Sequence, residues 1–171
     1  MKLENLLMFD ARLSTRLRVA EKPGLLRAIA TVLAHSGDSW FCLSGMALIW
    51  LLGSGMWRWR STILVIATLI TATLVLGLKF LVRRPRPEGE WGNIYRQTDP
   101  HSFPSGHAAR TAMLATLAVG LGPAWFGAIL VAWAPLVSLA RVAMGVHYFS
   151  DVVAGIGVGV FMGAMLQLVF L

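Results

Sequence analysis

Charged residues are scarce in this chain. They make up 13% of its 171 residues, whereas hydrophobic residues make up 57%. Because a soluble domain carries about 25% charged residues, roughly half of the charge that a water-exposed surface needs is missing. This composition indicates an integral membrane protein. The length suits one helical domain and leaves no room for a second.

Cysteine is nearly absent as well. Cys42 is the only one, which excludes an internal disulfide and any metal cluster built from several cysteines. The four histidines, at positions 35, 101, 107 and 147, do not form the HExxH pattern of a zinc enzyme. A dinuclear metal enzyme would need more carboxylates than lie near them. We therefore expect no metal and no cofactor.

Acidic residues are few in comparison with basic ones. The chain has 15 lysines and arginines against 8 aspartates and glutamates, which gives a formal net charge of +7. A nucleic-acid-binding protein could have the same net charge, but here many positive charges adjoin apolar segments and form no basic stripe on a soluble face. Anionic lipid headgroups or phosphorylated substrates, and not nucleic acid, are the expected partners.

The N-terminal region lacks the sustained apolar stretch of a cleavable signal peptide. Residues 1–22 mix charged residues with leucine and methionine, which predicts an amphipathic helix lying in the membrane interface. Pro23-Gly24 breaks the chain, and residues 25–35 predict a second helix that is too short to span a bilayer alone. We assign residues 1–36 to these interfacial helices and residues 37–171 to a transmembrane core of the same domain.

Five later segments meet or approach the roughly 20 residues that a membrane-spanning helix needs. They lie at about residues 38–56, 61–82, 107–121, 124–143 and 151–171. Glycine and proline breakers mark the joints between them. The expected fold is an all-α bundle of about five transmembrane helices. The small-xxx-small pairs Gly155/Gly159 and Gly159/Gly163 predict a close helix-packing face in the last segment.

Polar residues interrupt this apolar background in three groups. The groups are Lys79 with Arg86-Pro87, then Pro104-Ser105-Gly106-His107, then Arg141 with His147 and Asp151. A charge in or near a membrane is costly unless it has a function or a partner. Asp151 is the only carboxylate in residues 100–171 and follows His147 by four positions, which on a helix brings both side chains to one face. This pattern indicates a base with its orienting group, next to cations that can bind an anion.

The order of the spans predicts that the three groups meet. Counting crossings places the loop at about residues 83–106 and the connection at residues 144–150 on the same side of the membrane. Trp57-Arg58-Trp59-Arg60 would form a loop on the opposite side, where aromatic and basic residues typically anchor a protein. The positive-inside tendency puts that loop in the cytoplasm. It therefore puts the polar groups on the outer face of a bacterial-type inner membrane.

These three groups resemble, in order and spacing, the three-part signature of the type 2 phosphatidic acid phosphatase superfamily. The matching motifs are Lys79-x6-Arg86-Pro87, Pro104-Ser105-Gly106-His107 and Arg141-x5-His147-x3-Asp151, over roughly residues 75–155. That superfamily includes membrane lipid phosphatases and soluble vanadium haloperoxidases. One departure is that Ala140 precedes Arg141, where the family commonly has serine, so one possible hydroxyl contact is lost.

The resemblance implies a role for each matching residue. His147 would be the nucleophile that forms a phosphohistidine, and Asp151 would orient its ring. His107 would be the general acid for the leaving oxygen. Charged forks and helix N-terminal N–H groups suit phosphoryl oxygens. The phosphate-binding residues would be Lys79, Arg86, Ser105, Gly106 and Arg141.

Several other polar residues near the motifs keep two interpretations. For Arg83 and Arg84, contacts with the interface or with headgroups are favoured over phosphate binding. His101 could line the cleft. Arg110 either pairs internally with a carboxylate or carbonyl, which is slightly favoured, or extends the anion pocket. The acids expected to be solvated in the loop are Glu88, Glu90 and Asp99.

The function expected from the sequence is metal-independent removal of a phosphate or pyrophosphate group from a lipid at the membrane surface. Candidate substrates are bacterial envelope lipids: an isoprenyl pyrophosphate, phosphatidylglycerophosphate, phosphatidate or a lipid A phosphate. The alternative is a non-catalytic protein that binds or transports lipid phosphates on the same scaffold. A complete set of nucleophile, orienting acid and general acid favours the enzyme, because binding alone needs only the cations.

Overall fold

The computed structural model describes residues 3–170, and in that range the chain forms eight α-helices and no β-strand. The all-helical prediction is confirmed. The helices are α1 (Leu3–Leu17), α2 (Leu25–Ser36), α3 (Ser39–Leu52), α4 (Gly55–Val82), α5 (Glu90–Thr98), α6 (Gly106–Leu121), α7 (Ala124–Ala143) and α8 (Phe149–Phe170).

Three of these helices, α4, α7 and α8, are long and apolar enough to cross a membrane by length and composition. The 28 residues of α4 span about 42 Å along the helix axis. With 14 and 16 residues, α3 and α6 are shorter than the roughly 20 residues of a typical span. For these two, membrane crossing stays a prediction.

The sequence indicated a loop at Trp57-Arg58-Trp59-Arg60. In the structure this segment is part of the first turns of α4. Only Gly53 and Ser54 separate α3 from α4. Trp57 packs against Trp125 and Phe126 at ring-centroid distances of 6.1 and 5.5 Å. The prediction failed because tryptophan and arginine are ordinary helix residues, and the glycines just before them already supply the turn.

Helix α6 lies in the middle of the bundle and packs most extensively against α8 and α7. The predicted glycine face of α8 forms this contact. A Cβ atom added at Gly155, Gly159 or Gly163 would lie closer than 3.0 Å to an atom of α6 or of Ser105 just before it. The close approach holds the beginning of α6 against the beginning of α8, where two of the three polar groups lie.

The polar side of α1 faces the protein, and its apolar side faces outward. Asp10 and Ser14 are buried, whereas Leu6, Leu7 and Phe9 are exposed. Exposed apolar side chains on an amphipathic helix suit the boundary of a bilayer. Asp10 and Ser14 accept hydrogen bonds from the backbone N–H groups of Ser150 and Phe149, so α1 caps the beginning of α8.

Candidate active site

The three polar groups meet at one cavity, which we call the central cavity and which has a volume of about 410 Å³. Residues from the end of α4, the beginning of α6, the end of α7 and the turn before α8 line it. The site residues from the sequence analysis that line the central cavity are Lys79, Arg86, Gly106, His107, Arg141 and His147.

His147 lies in the turn between α7 and α8, and its side chain is 1% exposed. The helical spacing that we assumed between His147 and Asp151 is wrong, because α8 begins only at Phe149. The Nε2 atom of His147 lies 3.2 Å from Nη1 of Arg86. Since a guanidinium can only donate, Nε2 accepts this bond, and the ring proton is on Nδ1.

The pKa of His147 is lowered well below its ordinary value. Burial is the main cause, and the nearby charges of Arg86, Arg141 and Lys79 act in the same direction. Both effects disfavour an imidazolium cation. The ring is therefore neutral near pH 7 and holds an unprotonated nitrogen next to the cations of the cavity.

Asp151 lies beside His147 but does not form a normal hydrogen bond with it. Its Oδ2 is 3.6 Å from Nδ1 of His147, which is longer than a protein hydrogen bond. Instead, Oδ2 accepts the backbone N–H of Tyr148 at 2.9 Å, and Oδ1 accepts a bond from Arg84 at 2.7 Å. The carboxylate is fully buried, so it provides negative charge next to the protonated side of the imidazole.

Arg84 connects this carboxylate to the N-terminal helix. Its side chain is 16% exposed, and Nη2 lies 2.7 Å from Oδ2 of Asp10. The Arg84 guanidinium also lies over the ring of Tyr148, 3.9 Å from its centroid. The expected contact of Arg84 with the interface or a headgroup is therefore wrong. No sequence pattern indicated this network, because Asp10 and Asp151 are 141 positions apart along the chain.

Lys79, Arg86 and Arg141 are the three buried cations at the top of the cavity, and we call them the cationic cradle. Lys79 forms an ion pair with Asp99 and donates to the backbone oxygen of His101 at 3.1 Å. Arg86 donates to the same Asp99 carboxylate at 2.7 Å. Three cations so close together repel one another unless an anion lies between them.

Asp99 supplies that anion in the structure. The expectation that it is a solvated loop acid holds only in part, because its side chain is 41% exposed but its carboxylate is paired with Lys79 and Arg86. Burial acts to raise the pKa of Asp99, but the hydrogen bond and charge of Lys79 and the charge of Arg86 outweigh it and lower the pKa. The only sequence signal was indirect: a cluster of buried cations needs a carboxylate, and Asp99 lies in the loop between the first two motifs.

Tyr95 completes the wall of the cradle. Its hydroxyl accepts a hydrogen bond from Arg141 at 3.2 Å, and its ring centroid lies 4.7 Å from the Arg141 guanidinium and 5.3 Å from that of Arg86. An aromatic face next to a guanidinium is a stabilising arrangement. Tyr95 thus holds the two arginine forks in place.

The beginning of α6 lies at the cavity. The first N–H groups of a helix have no partner within the helix and favour anions, and Gly106 and His107 both line the cavity. Ser105 does not line it. Its hydroxyl caps α6 by accepting the N–H of Ala108 at 3.5 Å, and its own N–H donates to the backbone oxygen of Asp151.

His107 is hydrogen-bonded to Asp38, the first residue of the first predicted span. Its Nε2 lies 2.6 Å from Oδ1 of Asp38, and Oδ2 of Asp38 lies 2.8 Å from Nδ1 of His35. Burial acts to raise the pKa of Asp38, but the hydrogen bonds from His107 and His35 outweigh it and lower the pKa below its ordinary range. Asp38 is therefore an ionised carboxylate between two imidazoles.

Both interpretations of Arg110 fit its position. Its Nη1 donates to the backbone oxygen of Gly37 at 2.7 Å, and its side chain also lines the central cavity. His101 lines the cavity too, with its ring edge-on to Phe80 at 5.8 Å between centroids.

A family model described as the PAP2 superfamily matches residues 60–170. Among curated proteins, decaprenylphosphoryl-5-phosphoribose phosphatase of Mycobacterium tuberculosis is 32% identical over 152 residues. The alignment covers 87% of this chain and 82% of that relative.

Two solved structures resemble the fold. The PAP2 type phosphatidylglycerolphosphate phosphatase from Bacillus subtilis has a TM-score of 0.78 and 24% identity, with 97% of this chain and 86% of that chain covered. LpxE from Aquifex aeolicus has a TM-score of 0.72 and 25% identity, with 91% and 92% covered.

Proposed function

This chain is a membrane phosphatase of the PAP2 superfamily, and we propose that it transfers a phosphoryl group from a membrane lipid to His147 and then to water. One observation carries the proposal. The unprotonated Nε2 of His147 lies 3.2 Å from Arg86, inside a cavity where the cationic cradle converges. A nucleophile next to three anion-binding side chains suits attack on a phosphate.

Binding of the phosphate uses charge placement. We place the transferred oxygens among Lys79, Arg86 and Arg141, next to Gly106 and His107, whose N–H groups at the beginning of α6 suit an anion. Phosphoryl transfer depends mainly on positioning and on stabilising negative charge in the transition state. Fixed donors in a buried cavity do this without reorganising water.

The first chemical step forms a bond between Nε2 of His147 and phosphorus and breaks the bond from phosphorus to the lipid oxygen. His107 gives its proton to that oxygen, which leaves as an alcohol or as the oxygen of a phosphate. The positive charge that develops on the His147 ring is stabilised by the Asp151 carboxylate.

The second step regenerates the enzyme. Water attacks the phosphohistidine, its proton passes to His107, and the phosphorus–nitrogen bond breaks. Inorganic phosphate leaves, and the neutral imidazole of His147 is restored.

A lipid substrate is supported by the wall of the cavity on its α4 side. Leu76 and Phe80 line the cavity and are also exposed on the apolar outer surface, so an acyl or isoprenyl tail can enter sideways from the bilayer. The relatives named above suggest lipids of the bacterial envelope with a terminal phosphate. Isoprenyl pyrophosphates, phosphatidylglycerophosphate, phosphatidate and lipid A phosphates remain the candidates.

The proposed location is the bacterial inner membrane, with the cavity on the outer face. Arg58 and Arg60 lie at the beginning of α4 and Lys79 near its end, so they are at opposite ends of a helix long enough to cross the bilayer. The variant Gln97→Cys, in an exposed part of α5, tests this. Labelling of intact cells by a membrane-impermeant maleimide supports the orientation, and labelling only after lysis contradicts it.

The deciding experiment measures phosphate release by the purified protein from a panel of lipid phosphates. We expect His147→Gln to lose activity by on the order of 10⁴-fold or more, since a missing nucleophile cannot be replaced. His101→Gln, a histidine on the same cavity wall, is the matched control and keeps most of its activity. Trapping of an acid-labile phosphoryl group on the wild type, and not on His147→Gln, identifies the intermediate.

If wild type and His147→Gln release phosphate equally slowly while both bind lipid, the non-catalytic binding or transport alternative is right. The metal requirement is tested in the same assay. Within residues 3–170 no group of three or more His, Cys, Asp or Glu side chains is arranged to hold a metal ion. We expect EDTA to leave the rate unchanged, and a loss that a divalent ion restores would contradict the metal-free mechanism.

A further inference from the structure

The central cavity continues below the cationic cradle toward the bilayer interior. On α4 its lining extends from Lys79 back to Thr68, which is 11 positions or about 16 Å along the helix axis. This is deeper than the transferred phosphate needs. The lower part of the cavity is therefore available to the portion of the substrate beyond the bond that breaks.

Thr71, on this lower wall, has an unusual hydroxyl. Within the part of the chain that the structure describes, its Oγ1 has no hydrogen-bond partner although the residue is only 1% exposed. By contrast, Thr68 and Thr73 on the same helix donate back to the carbonyl oxygens of Leu64 and Leu69. A buried polar group without a partner is costly, so this hydroxyl suits a ligand in the cavity.

Arg110 places a positive charge on the part of the cavity wall that α6 forms. It is 8% exposed and forms no ion pair with any carboxylate of residues 3–170, since its Nη1 bonds only the neutral oxygen of Gly37. Its buried Nε also lacks a partner in the same range. Asp38 is the carboxylate whose charge acts on Arg110. Its two oxygens already form hydrogen bonds with His107 and His35. A cation in a membrane-embedded cavity without an anion is expensive unless a ligand supplies one.

We propose that Arg110 and Thr71 bind a second phosphate group, carried on the leaving portion of the substrate. This inference rests on the proposed function, because it takes His107 as the general acid at the leaving oxygen. Arg110 follows His107 by three positions, close to one turn of α6, and both residues line the cavity, so Arg110 is near enough to meet a group attached to that oxygen. The cradle binds the phosphate that is transferred, and Arg110 binds the one that stays with the lipid.

Three of the candidate kinds of lipid carry phosphate in this place: phosphatidylglycerophosphate, in which glycerol stands between the two phosphates, and the following two, which differ most in spacing. In an isoprenyl diphosphate, the second phosphate is joined directly to the leaving oxygen. In a prenylphosphoryl sugar phosphate, a sugar stands between the two, and its hydroxyls could also reach Thr71. Phosphatidate has no second phosphate. The shared chemistry is an anionic phosphate one or several bonds beyond the scissile oxygen.

The test compares kcat/KM for three substrates in the same vesicles: an isoprenyl diphosphate, a prenylphosphoryl pentose phosphate and phosphatidate. The measured quantity is the ratio of kcat/KM for each two-phosphate lipid to that for phosphatidate. We expect Arg110→Gln to lower this ratio by about 100-fold for the substrate that fits, since it removes a charge-assisted contact. Comparing the two arms tells which spacing between the phosphates the site accepts.

Arg110→Gln also removes the hydrogen bond from the guanidinium to the backbone oxygen of Gly37. A second variant therefore separates loss of phosphate binding from misfolding. Thr71→Val keeps the volume of the side chain and removes only the unpartnered hydroxyl. We expect it to lower the ratio by about 5-fold, the effect of one neutral hydrogen bond. Thr73→Val is the matched control. It lies on the exposed side of α4 with its hydroxyl bonded to its own helix, and it leaves the ratio unchanged.

Ratios that stay unchanged in both Arg110→Gln and Thr71→Val overturn the inference, even if every lipid is hydrolysed. A wild type that prefers phosphatidate over both two-phosphate lipids also overturns it. Both of these results leave the proposed function intact. That function fails separately, if the wild type releases phosphate from none of the three.

Discussion

Asp38 and His107 are 69 positions apart in the chain, yet Oδ1 of Asp38 lies 2.6 Å from Nε2 of His107. A carboxylate can only accept, so Nε2 of His107 donates its proton to Asp38, and Nδ1 is the nitrogen left for the substrate. An ionised partner stabilises the imidazolium form that a general acid needs. Asp38 is thus placed to orient His107 without touching the reacting phosphate, and its charge offsets part of what burial and the charges of Arg141 and Arg110 cost the imidazolium form.

Asp38→Asn is expected to slow hydrolysis of lipid phosphates, whose leaving alcohols need a proton, by about 100-fold, within the usual contribution of a general acid. For p-nitrophenyl phosphate, whose leaving group departs without a proton, the loss should be less than about 5-fold, because protonation contributes little there. The measurement is kcat for both substrates in the same detergent. The surface variant Glu90→Gln, which breaks only an exposed ion pair with Arg27, is the control.

An equal loss for the two substrates would show that Asp38 serves folding or phosphate binding and not proton transfer. Circular dichroism and thermal unfolding of Asp38→Asn then distinguish a role in folding from a role in phosphate binding.

Asp99 lies where its carboxylate competes with a phosphate for Lys79 and Arg86. We expect Asp99→Asn to bind inorganic phosphate about 10-fold more tightly, since two buried cations would lose their internal anion. Competitive inhibition of lipid hydrolysis by phosphate gives the Ki. Weaker inhibition by phosphate would mean that Asp99 holds the cations in their binding positions and does not compete with the ligand.

The network of Asp10, Arg84 and Asp151 should stabilise the fold by joining α1 to α8. Because the Asp151 carboxylate is fully buried, Arg84→Gln leaves it without a cation, and we expect the free energy of unfolding to fall by about 3 kcal/mol. Asp10→Asn should cost less, since Arg84 keeps its bond to Asp151.

A double-mutant cycle of Arg84→Gln and Asp10→Asn, measured by denaturant titration in mixed micelles, checks this. Coupling above about 0.5 kcal/mol is expected for residues in one network. Strictly additive losses would argue that the ion pair of Arg84 with Asp10 contributes nothing.

The pH dependence of kcat/KM should report the depressed pKa of His147. Attack needs the unprotonated ring, so activity falls as pH falls through the pKa of His147. Burial and three cations lower that pKa, and the acid limb therefore lies below about pH 6.5, the ordinary value for histidine.

The pH profile of the residual activity of Arg86→Gln tests whether neighbouring positive charge lowers the pKa of His147. Removing one neighbouring positive charge should move the acid limb to higher pH. A wild-type acid limb at or above pH 6.5, or a limb that does not move in Arg86→Gln, would contradict the assignment.

Much of the fold could be predicted from the sequence. The span at residues 124–143 coincides with α7, and the last span differs from α8 by only a few residues, because long apolar runs bounded by glycine and proline have one physical solution in lipid. The glycine face of α8 was predictable for the same reason, since spacing of four places small residues on one side of a helix.

Part of the candidate site was predictable and part was not. His107, Arg86 and Arg141 stand out because a cation or imidazole in an apolar chain is itself a signal. Asp38, Asp99 and Arg84 carried no such signal. Each lies in a short polar segment where an ordinary solvated residue would look the same.

The sequence was enough to predict the helical membrane fold, the meeting of the three polar groups at one site, and the residue types that we propose to handle a phosphate. These follow from local hydropathy and spacing, which each segment carries in its own residues. The tertiary structure alone decided which carboxylate faces which cation: Asp99 in the cradle, Asp38 on His107, and Arg84 between Asp10 and Asp151. Charge pairing is a matter of a few ångströms between residues far apart in the chain, so it is set only when the helices pack.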